Sequence, residues 1–206
     1  MSSGDEVTDR SVLAPFESVG TSRVEAFSDG VMAVIITIMV LGLRAPDGVR
    51  FSNLANRFPA FAVYVLSFVF IGIYWNNHHH LFHRTDRISA AVMWANLHLL
   101  FWLSLTPLVT EWAGTSYRHR LPAATYGVVA IGCAIAFTIL TTTILKANGG
   151  KESTIGVALG SNVKGRISPL IYLVGIGLSA LSPYAGYGCY ALVAVIWFVP
   201  DRRLVR

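Results

Sequence analysis

Hydrophobic residues in this chain fall into long runs rather than into the narrow stripes of an amphipathic soluble helix. A run of about 20 apolar residues is long enough to cross the roughly 30 Å hydrocarbon core of a bilayer as an α-helix. Four runs approach or exceed this length and predict transmembrane helices over about residues 23–43, 58–79, 88–112 and 122–146. Two shorter runs, at about 167–182 and 184–199, predict either two short helices or one bent, re-entrant hairpin.

Local signals indicate where some of these helices begin and which polar groups they contain. Ser22, followed three residues later by Glu25, fits a capping box and predicts the start of the first helix. Pro59 suits a first helical turn, and Pro107 falls near the end of the third run. In the fourth run, the hydroxyls of Thr141–Thr143 are expected to bond carbonyls one turn back.

The composition supports a membrane protein and excludes several other classes. The chain is 54% hydrophobic and only 13% charged, whereas soluble domains carry about 25% charged residues. Its two cysteines, Cys133 and Cys189, both lie inside apolar runs, so neither a disulfide framework nor a zinc site is expected. The formal charge of +5 is spread over loops without a basic stripe, which argues against nucleic-acid binding.

The distribution of basic residues predicts the orientation of the chain. With the N-terminus inside, the cytoplasmic segments carry eleven Lys and Arg residues and the outer loops carry five. This bias favours both termini in the cytoplasm. We expect residues 1–21 to be a disordered cytoplasmic N-terminus without a cleavable signal peptide. Residues 22–200 would form a six-helix transmembrane domain, followed by a basic cytoplasmic tail at 201–206.

The first run is unusual because ionisable residues precede a long apolar segment with helical periodicity. One arc of about 100° on a helical wheel contains seven of its residues: Arg23, Phe27, Gly30, Val34, Thr37, Ile38 and Leu41. Ser28 and Asp29 point away from this arc. One interpretation is that the arc lines an axis while the other face bonds into the subunit. The other is ordinary helix packing, with Arg23 and Asp29 at the level of the lipid headgroups.

Histidines cluster at the end of the second run and raise the question of a metal site. His79 and His83 have the i, i+4 spacing that places two imidazoles on one helix face. Outside the cluster only His98 and His119 remain, and no intramembrane Glu-x-x-His motif accompanies them. A metal centre is therefore not expected, since Trp and His are also common where a helix leaves the membrane.

A Gly-Tyr-Gly sequence near the end, Gly186-Tyr187-Gly188, resembles the carbonyl filter of ordinary potassium channels. That filter needs a pore helix and a re-entrant loop between two spans, and this chain has almost no loop there. The preceding residues are Pro-Tyr-Ala rather than Thr-Val. Packing of small residues in a short helix is the expected role.

Taken together, the first three runs carry specific motifs. Arg23-x-x-x-Phe27-Ser28-Asp29-Gly30-Val31, followed by Thr37 and Leu41, resembles the first-helix signature of the transmembrane-protein-175 family of potassium channels, in particular its bacterial members. Trp75-x-x-His78-His79 followed by Leu81-Phe82 is similar to the family's second-helix ending, and Asn96-Leu97 with Pro107 to its third helix. The second half of the chain resembles the family in hydropathy only.

This resemblance implies an all-α membrane protein with six transmembrane helices per subunit. It further implies a homotetramer whose first helices surround a central pore. Carried over residue by residue, Val34 corresponds to a narrow hydrophobic position that is usually isoleucine in relatives, so its constriction is expected to be wider. Thr37 corresponds to the threonine layer of potassium preference and Leu41 to a further constriction, with Ile38 beside them in the pore.

The resemblance also implies a structural network that braces the pore helix. It comprises six residues: Arg23, Phe27, Ser28, Asp29, Trp75 and His78. The sequence thus predicts a potassium-selective cation channel of a bacterial inner membrane, with potassium as the permeant ion, no cofactor and no catalytic residue. Two alternatives are a secondary or proton-coupled cation transporter with Asp29 and His78 as a relay, and a metalloenzyme at the histidine cluster.

Overall fold

A computed structural model describes residues 20–153, 156–157 and 163–198, and this part of the chain is helical. The predicted segments up to residue 19 and from 201 to 206 lie outside the described residues. Eight α-helices are named here in chain order: α1 Thr21–Leu41, α2 Phe51–Asn56, α3 Phe58–His83, α4 Ala90–Ser104, α5 Thr106–Thr115, α6 Arg120–Ala147, α7 Val163–Ser179 and α8 Pro183–Phe198. A 3-10 turn occupies Gly150–Glu152.

Four described segments are long and apolar enough to cross a membrane, as the four long runs predict. They are α1, α3, the α4–α5 pair taken together, and α6, with 21, 26, 26 and 28 residues. The third segment breaks at Leu105, between α4 and α5. Pro107 explains the break, because it lacks the amide hydrogen that would continue the α4 hydrogen-bond ladder.

The start of α1 differs from the predicted capping box. The helix begins at Thr21 with Gly20 as its N-cap, and no side chain caps its first amides. Glu25 does not reach back to its own helix end, since its carboxylate bonds His79 on α3 instead. The capping-box prediction was therefore wrong, because a contact between two helices takes the carboxylate that the local motif needs.

The last two helices form a tightly packed antiparallel pair. They are short, with 17 and 16 residues, and three residues separate them. The amides of Leu181 and Ser182 bond the carbonyl of Leu178, and Pro183 opens α8. Gly186 lies directly against the side chain of Ser179, as expected for a packing residue, whereas Gly188 faces open space.

The helices are arranged so that α1 and α6 each organise one side of the subunit. α1 packs against α3, α4 and α5, while α6 packs against α4, α5, α7 and α8. Loop bonds hold one end of the bundle together: Thr21 donates to the carbonyl of Thr85, and Asn148 accepts from the amides of Asp86 and Arg87. The start of α1, the end of α3 and the end of α6 thus lie on the same side.

Hydroxyls within α6 bond their own helix, as the sequence predicts. Thr141, Thr142 and Thr143 donate to the carbonyls of Phe137, Thr138 and Ile139 over distances of 2.9, 2.9 and 2.7 Å. These threonines are therefore satisfied without water and need no functional explanation.

Close approach of α4 and α6 gives a test of the fold. A Cβ atom at Gly132 would overlap the indole of Trp102, so Gly132→Leu is expected to force the two helices apart. Overpacking of this kind costs roughly 1–3 kcal/mol, and we expect a clear fall in the thermal stability of the purified protein in detergent. Gly188→Leu is the control, since nothing lies within 4 Å of a Cβ atom there. Equal melting temperatures for the two variants would contradict this packing.

Candidate functional site

The first helix has one buried face and one exposed face. Its buried face consists of Val24, Ser28, Met32, Ile35 and Met39. The opposite face contains all seven residues of the predicted arc, and each of them is exposed in the single chain. The apolar members are strongly exposed: 56% for Phe27, 54% for Val34, 49% for Ile38 and 79% for Leu41. One long stripe of α1 is therefore left without a partner by the described residues of the chain.

Thr37 lies on this exposed stripe with its hydroxyl in a defined orientation. Its Oγ1 donates to the carbonyl of Val34 over 2.9 Å. Because the only hydroxyl hydrogen is used in that bond, the lone pairs of the oxygen remain available on the exposed side. The neutral Thr37 side chain can thus coordinate a cation through Oγ1.

A chain of buried hydrogen bonds fixes the opposite face of α1. Asn96 on α4 donates from Nδ2 to the Ser28 hydroxyl over 2.8 Å, and its Oδ1 lies 2.8 Å from His78 Nε2 on α3. Ser28 in turn donates to the carbonyl of Val24. All three side chains are at most 1% exposed. Asn96 is therefore the residue that joins α1, α3 and α4.

A second link lies nearer the end where α1 begins. The Glu25 carboxylate is 2.8 Å from Nδ1 of His79, and the two side chains form an ion pair when the imidazole is protonated. The His79 ring stacks between two side chains of α3, with ring centroids 6.1 Å from Trp75 and 6.0 Å from His83. The contact attaches α1 to α3 at a point where both side chains are only partly buried.

A third link lies toward the other end of α1 and uses hydroxyls. Thr110 on α5 donates to the carbonyl of Thr106 and lies 2.7 Å from Ser67 on α3, which is 2.9 Å from the hydroxyl of Tyr126 on α6. The Thr110 hydroxyl also lies 3.8 Å from the sulfur of Met39. This series of polar contacts thus reaches from the core of the subunit to the buried face of α1.

The predicted bracing residues are only partly brought together. Ser28 and His78 are joined through Asn96, whereas Trp75 stacks on His79 and is 44% exposed. Arg23 and Phe27 lie on the exposed face of α1. Within the described part of the chain, the Arg23 side chain makes no hydrogen bond or ion pair.

Two buried acceptor atoms in this region have no partner among the described residues. They are Oδ1 of Asp29 and Nδ1 of His78. Ser28 donates to the Val24 carbonyl and Asn96 donates to Ser28, so the remaining Asn96 oxygen, Oδ1, accepts a hydrogen from His78 Nε2. The imidazole hydrogen therefore lies on Nε2, and Nδ1 is left as an acceptor. Buried unpaired acceptors at membrane depth are costly and mark candidate functional groups.

The histidine cluster does not gather a metal-ligand set. Among the described residues, no group of three or more His, Cys, Asp or Glu side chains is placed to hold a metal ion. His79 uses its Nδ1 on Glu25 and its ring face on Trp75 and His83. The cluster contributes to the junction between α1 and α3.

Sequence reasoning did not identify Asn96 or Glu25 as functional-site residues. A signal existed for Asn96, because an amide inside an apolar run must find a partner on another helix. The Glu25–His79 pair had a weaker signal, since two titratable residues near the same membrane surface are common and nothing in the sequence pairs them.

Removal of the central amide tests this network. Asn96→Leu leaves the Ser28 and His78 side chains without their shared partner, and each buried unsatisfied group costs roughly 1–3 kcal/mol. We expect a large fall in thermal stability in detergent. Asn76→Leu is the matched control, because Asn76 is exposed and its side chain makes no hydrogen bond within the described residues. A variant at position 96 as stable as the control would show that the network does not hold α1.

Known proteins resemble this chain in sequence. A family profile described as "Endosomal/lysosomal potassium channel TMEM175" matches residues 23–107. The chain is 50% identical over 184 residues to a potassium channel of Chryseobacterium sp. (strain P1-3), covering 89% of this chain and 95% of that one. It is also 32% identical over 133 residues to the human endosomal/lysosomal proton channel TMEM175, covering 59% of this chain and 26% of the human protein.

The fold is similar to that of a solved channel. The crystal structure of a lysosomal potassium-selective channel TMEM175 homologue from Chamaesiphon minutus superposes with a TM-score of 0.73. The two sequences are 26% identical, and the match covers 87% of this chain and 96% of the other. The chain therefore belongs to the TMEM175 family, and it is a multi-pass membrane protein of the ion-channel class rather than an enzyme.

Proposed function

We propose that this protein is a potassium-selective cation channel that assembles as a homotetramer, with the exposed stripe of α1 from each subunit lining a central pore. The observation that carries the proposal is the unpartnered stripe itself, in which a threonine oxygen lies among exposed apolar side chains. A second copy of the chain supplies the missing neighbour. Potassium channel relatives among bacteria support the choice of ion.

Four-fold symmetry explains why one helix face stays free in each subunit. In a cyclic assembly every subunit presents the same surface toward the axis, so a single stripe on α1 becomes a closed ring of four. The residues that we place on the pore are Val34, Thr37, Ile38 and Leu41. Their exposed positions on successive turns give one hydroxyl layer, at Thr37, between apolar layers.

Thr37 is the residue that we propose sets potassium preference. Four Thr37 oxygens, each with its hydrogen engaged by the Val34 carbonyl, present lone pairs toward the axis. Such a ring replaces part of an ion's hydration shell by protein oxygens, as carbonyl filters do. Potassium loses water more easily than sodium, and this difference favours its passage.

The apolar layers are proposed to act as hydrophobic constrictions. A narrow ring of apolar side chains expels water and raises the energy barrier for a hydrated ion. The ring thereby gates the pore by dewetting. Val34 and Leu41 form two such rings, separated by about two helical turns. Valine is shorter than the isoleucine usual in relatives, so the Val34 ring is wider.

Bracing of the pore helix is assigned to the buried face of α1. The chain from Ser28 through Asn96 to His78 and the pair of Glu25 with His79 hold the helix to α3 and α4. We propose that Arg23, Phe27, Asp29 and Trp75 complete this function at the subunit boundary, where a neighbouring copy supplies further contacts.

Six helices crossing the membrane are proposed for each subunit, with α7 and α8 as the last two. The bias of basic residues, eleven against five, supports both termini in the cytoplasm, and we propose that the protein lies in the inner membrane of a bacterium. Residues 22–200 then make up the transmembrane domain. The end of the bundle formed by the start of α1 and the loop after α3 is the cytoplasmic one.

A proton-coupled cation transporter is the second candidate. The unpaired acceptor atoms of Asp29 and His78 favour it, because a proton held by either would satisfy a buried group. In coupled transport every potassium ion moves with, or in exchange for, a proton, so a potassium gradient at initially equal pH also drives proton movement. A channel conducts potassium alone, so potassium-driven proton movement in liposomes held at a fixed membrane potential distinguishes the two.

Substitution of the pore threonine tests the proposed selectivity layer. Thr37→Val keeps the shape of the side chain and removes its oxygen, so the potassium-to-sodium permeability ratio is expected to fall several-fold. The measurement is the bi-ionic reversal potential in planar bilayers. Thr142→Val is the control, since Thr142 is an exposed threonine of α6 with equivalent backbone bonds. An unchanged reversal potential in the Thr37 variant would overturn this role.

Polarity at the narrow ring tests the hydrophobic constriction. Val34→Asn places four amides where apolar side chains would exclude water, so the unitary conductance or open probability is expected to rise several-fold. Single-channel recording provides the measurement. Val128→Asn, on the exposed face of α6, is the control and is expected to leave conduction unchanged. Equal currents from the two variants would remove Val34 from the pore.

A further inference from the structure

Glu111 on α5 lies beside the end of α1. A Cβ atom placed on Gly42 would lie 3.3 Å from Cβ and 3.4 Å from Cγ of Glu111. Gly42 directly follows Leu41, which is the last residue of α1 and the last apolar residue of its exposed stripe. Because Gly42 carries no side chain, the stem of Glu111 packs directly against the backbone at the point where α1 ends.

The carboxylate of Glu111 is exposed and has no partner within the described part of the chain. No hydrogen bond or ion pair involves this side chain there. Asp47, the other acidic residue described at this end of the bundle, lies 2.8 Å from the guanidinium of Arg57. Arg44, two residues after Gly42, is exposed and makes no ion pair with a described residue. Glu111 is therefore the carboxylate at this end that is left unpaired by its described neighbours.

The depth of Glu111 indicates that its carboxylate faces water. The residue belongs to the third membrane segment, Ala90–Thr115, and lies four residues before its end, which is about 6 Å along the helix axis. Acidic residues inside membrane segments seldom face acyl chains; they pair with a cation or line a water-filled path. Since the described residues supply no cation partner, a water-filled opening beside the end of α1 is the environment that suits Glu111.

We propose that Glu111 is a charged residue of the outer pore mouth, where four copies raise the local concentration of potassium. This inference rests on the proposed function, because it takes the stripe of α1 as the lining of a four-fold pore. Each subunit then places one carboxylate beside its own Leu41, and the four carboxylates surround the outer end of the conduction path. Acidic rings attract cations and repel anions, so they act on ions before the constrictions are reached.

Neutralisation of Glu111 tests this role through the dependence of conductance on ionic strength. Glu111→Gln is expected to lower inward single-channel conductance about twofold at about 10 mM potassium, where charge acts over about 30 Å. At about 1 M potassium this range falls to about 3 Å, and the variant is expected to conduct as well as the unaltered protein. Outward current is expected to change less, because its ions enter from the other side of the membrane.

Asp47→Asn is the matched control for this measurement. It removes the same charge from the same end of the bundle, but that charge is already paired with Arg57. A general effect of surface charge would therefore lower the conductance of both variants alike. Equal losses in the two variants, or a loss in Glu111→Gln that persists undiminished at high salt, would overturn the inference.

Chemical restoration of the charge separates an electrostatic role from a structural one. Glu111→Cys is prepared after Cys133 and Cys189 are replaced by alanine, and thiol reagents are applied from the outside. We expect a reagent that attaches a sulfonate to raise inward current at low potassium concentration, and one that attaches a trimethylammonium group to lower it. Changes of the same sign with both reagents, or no change with either, would contradict the electrostatic role.

Failure of this inference differs from failure of the proposed function. Absence of potassium current from the unaltered protein would overturn both. Potassium-selective current that responds in the same way to Glu111→Gln and to Asp47→Asn would remove Glu111 from the pore mouth and leave the α1 pore unaffected.

Discussion

The attachment of α1 by one face only is the constraint on which the structure depends. At membrane depth no water replaces a lost hydrogen bond, so Ser28, Asn96 and His78 must find one another across three helices. Once these bonds form, the rotation of α1 about its axis is fixed. The opposite stripe, from Phe27 to Leu41, is then turned away from the subunit, and its shape and chemistry become available to another copy of the chain.

Supporting contacts in the subunit lie away from the exposed stripe of α1. Hydroxyl and amide contacts join α1 to α3, α4 and α5, while α6 connects this group to α7 and α8. The polar atoms in these contacts are mostly satisfied by helix carbonyls or by each other. The unpaired atoms of Asp29, on α1, and His78, on α3, are exceptions. A change at this junction therefore acts on α1 directly, whereas a change in α7 or α8 acts through α6.

The sequence predicted the helices well because long apolar runs leave the backbone few alternatives. The same is true of the two faces of α1, which follow from helical periodicity, and of the threonines of α6. It failed where the outcome depends on contacts between helices. Glu25 fits a local capping motif in the sequence, yet in the structure it bonds His79. The central position of Asn96 can be predicted only when it is known which helices are neighbours. Contacts between subunits are still harder to predict from the sequence, because they involve surfaces that a single chain leaves exposed.

Water access to the stripe of α1 tests the central claim most directly. Single cysteines are introduced at Val34, Thr37, Ile38 and Leu41, and at the buried positions Ile35 and Met39, after Cys133 and Cys189 are replaced by alanine. A charged, membrane-impermeant thiol reagent is applied while current is recorded. Modification that blocks current at the stripe positions and spares the buried ones is the result expected of a pore-lining helix. Reaction of the stripe positions only with a lipid-soluble reagent, with current unchanged, would show that this face contacts lipid instead.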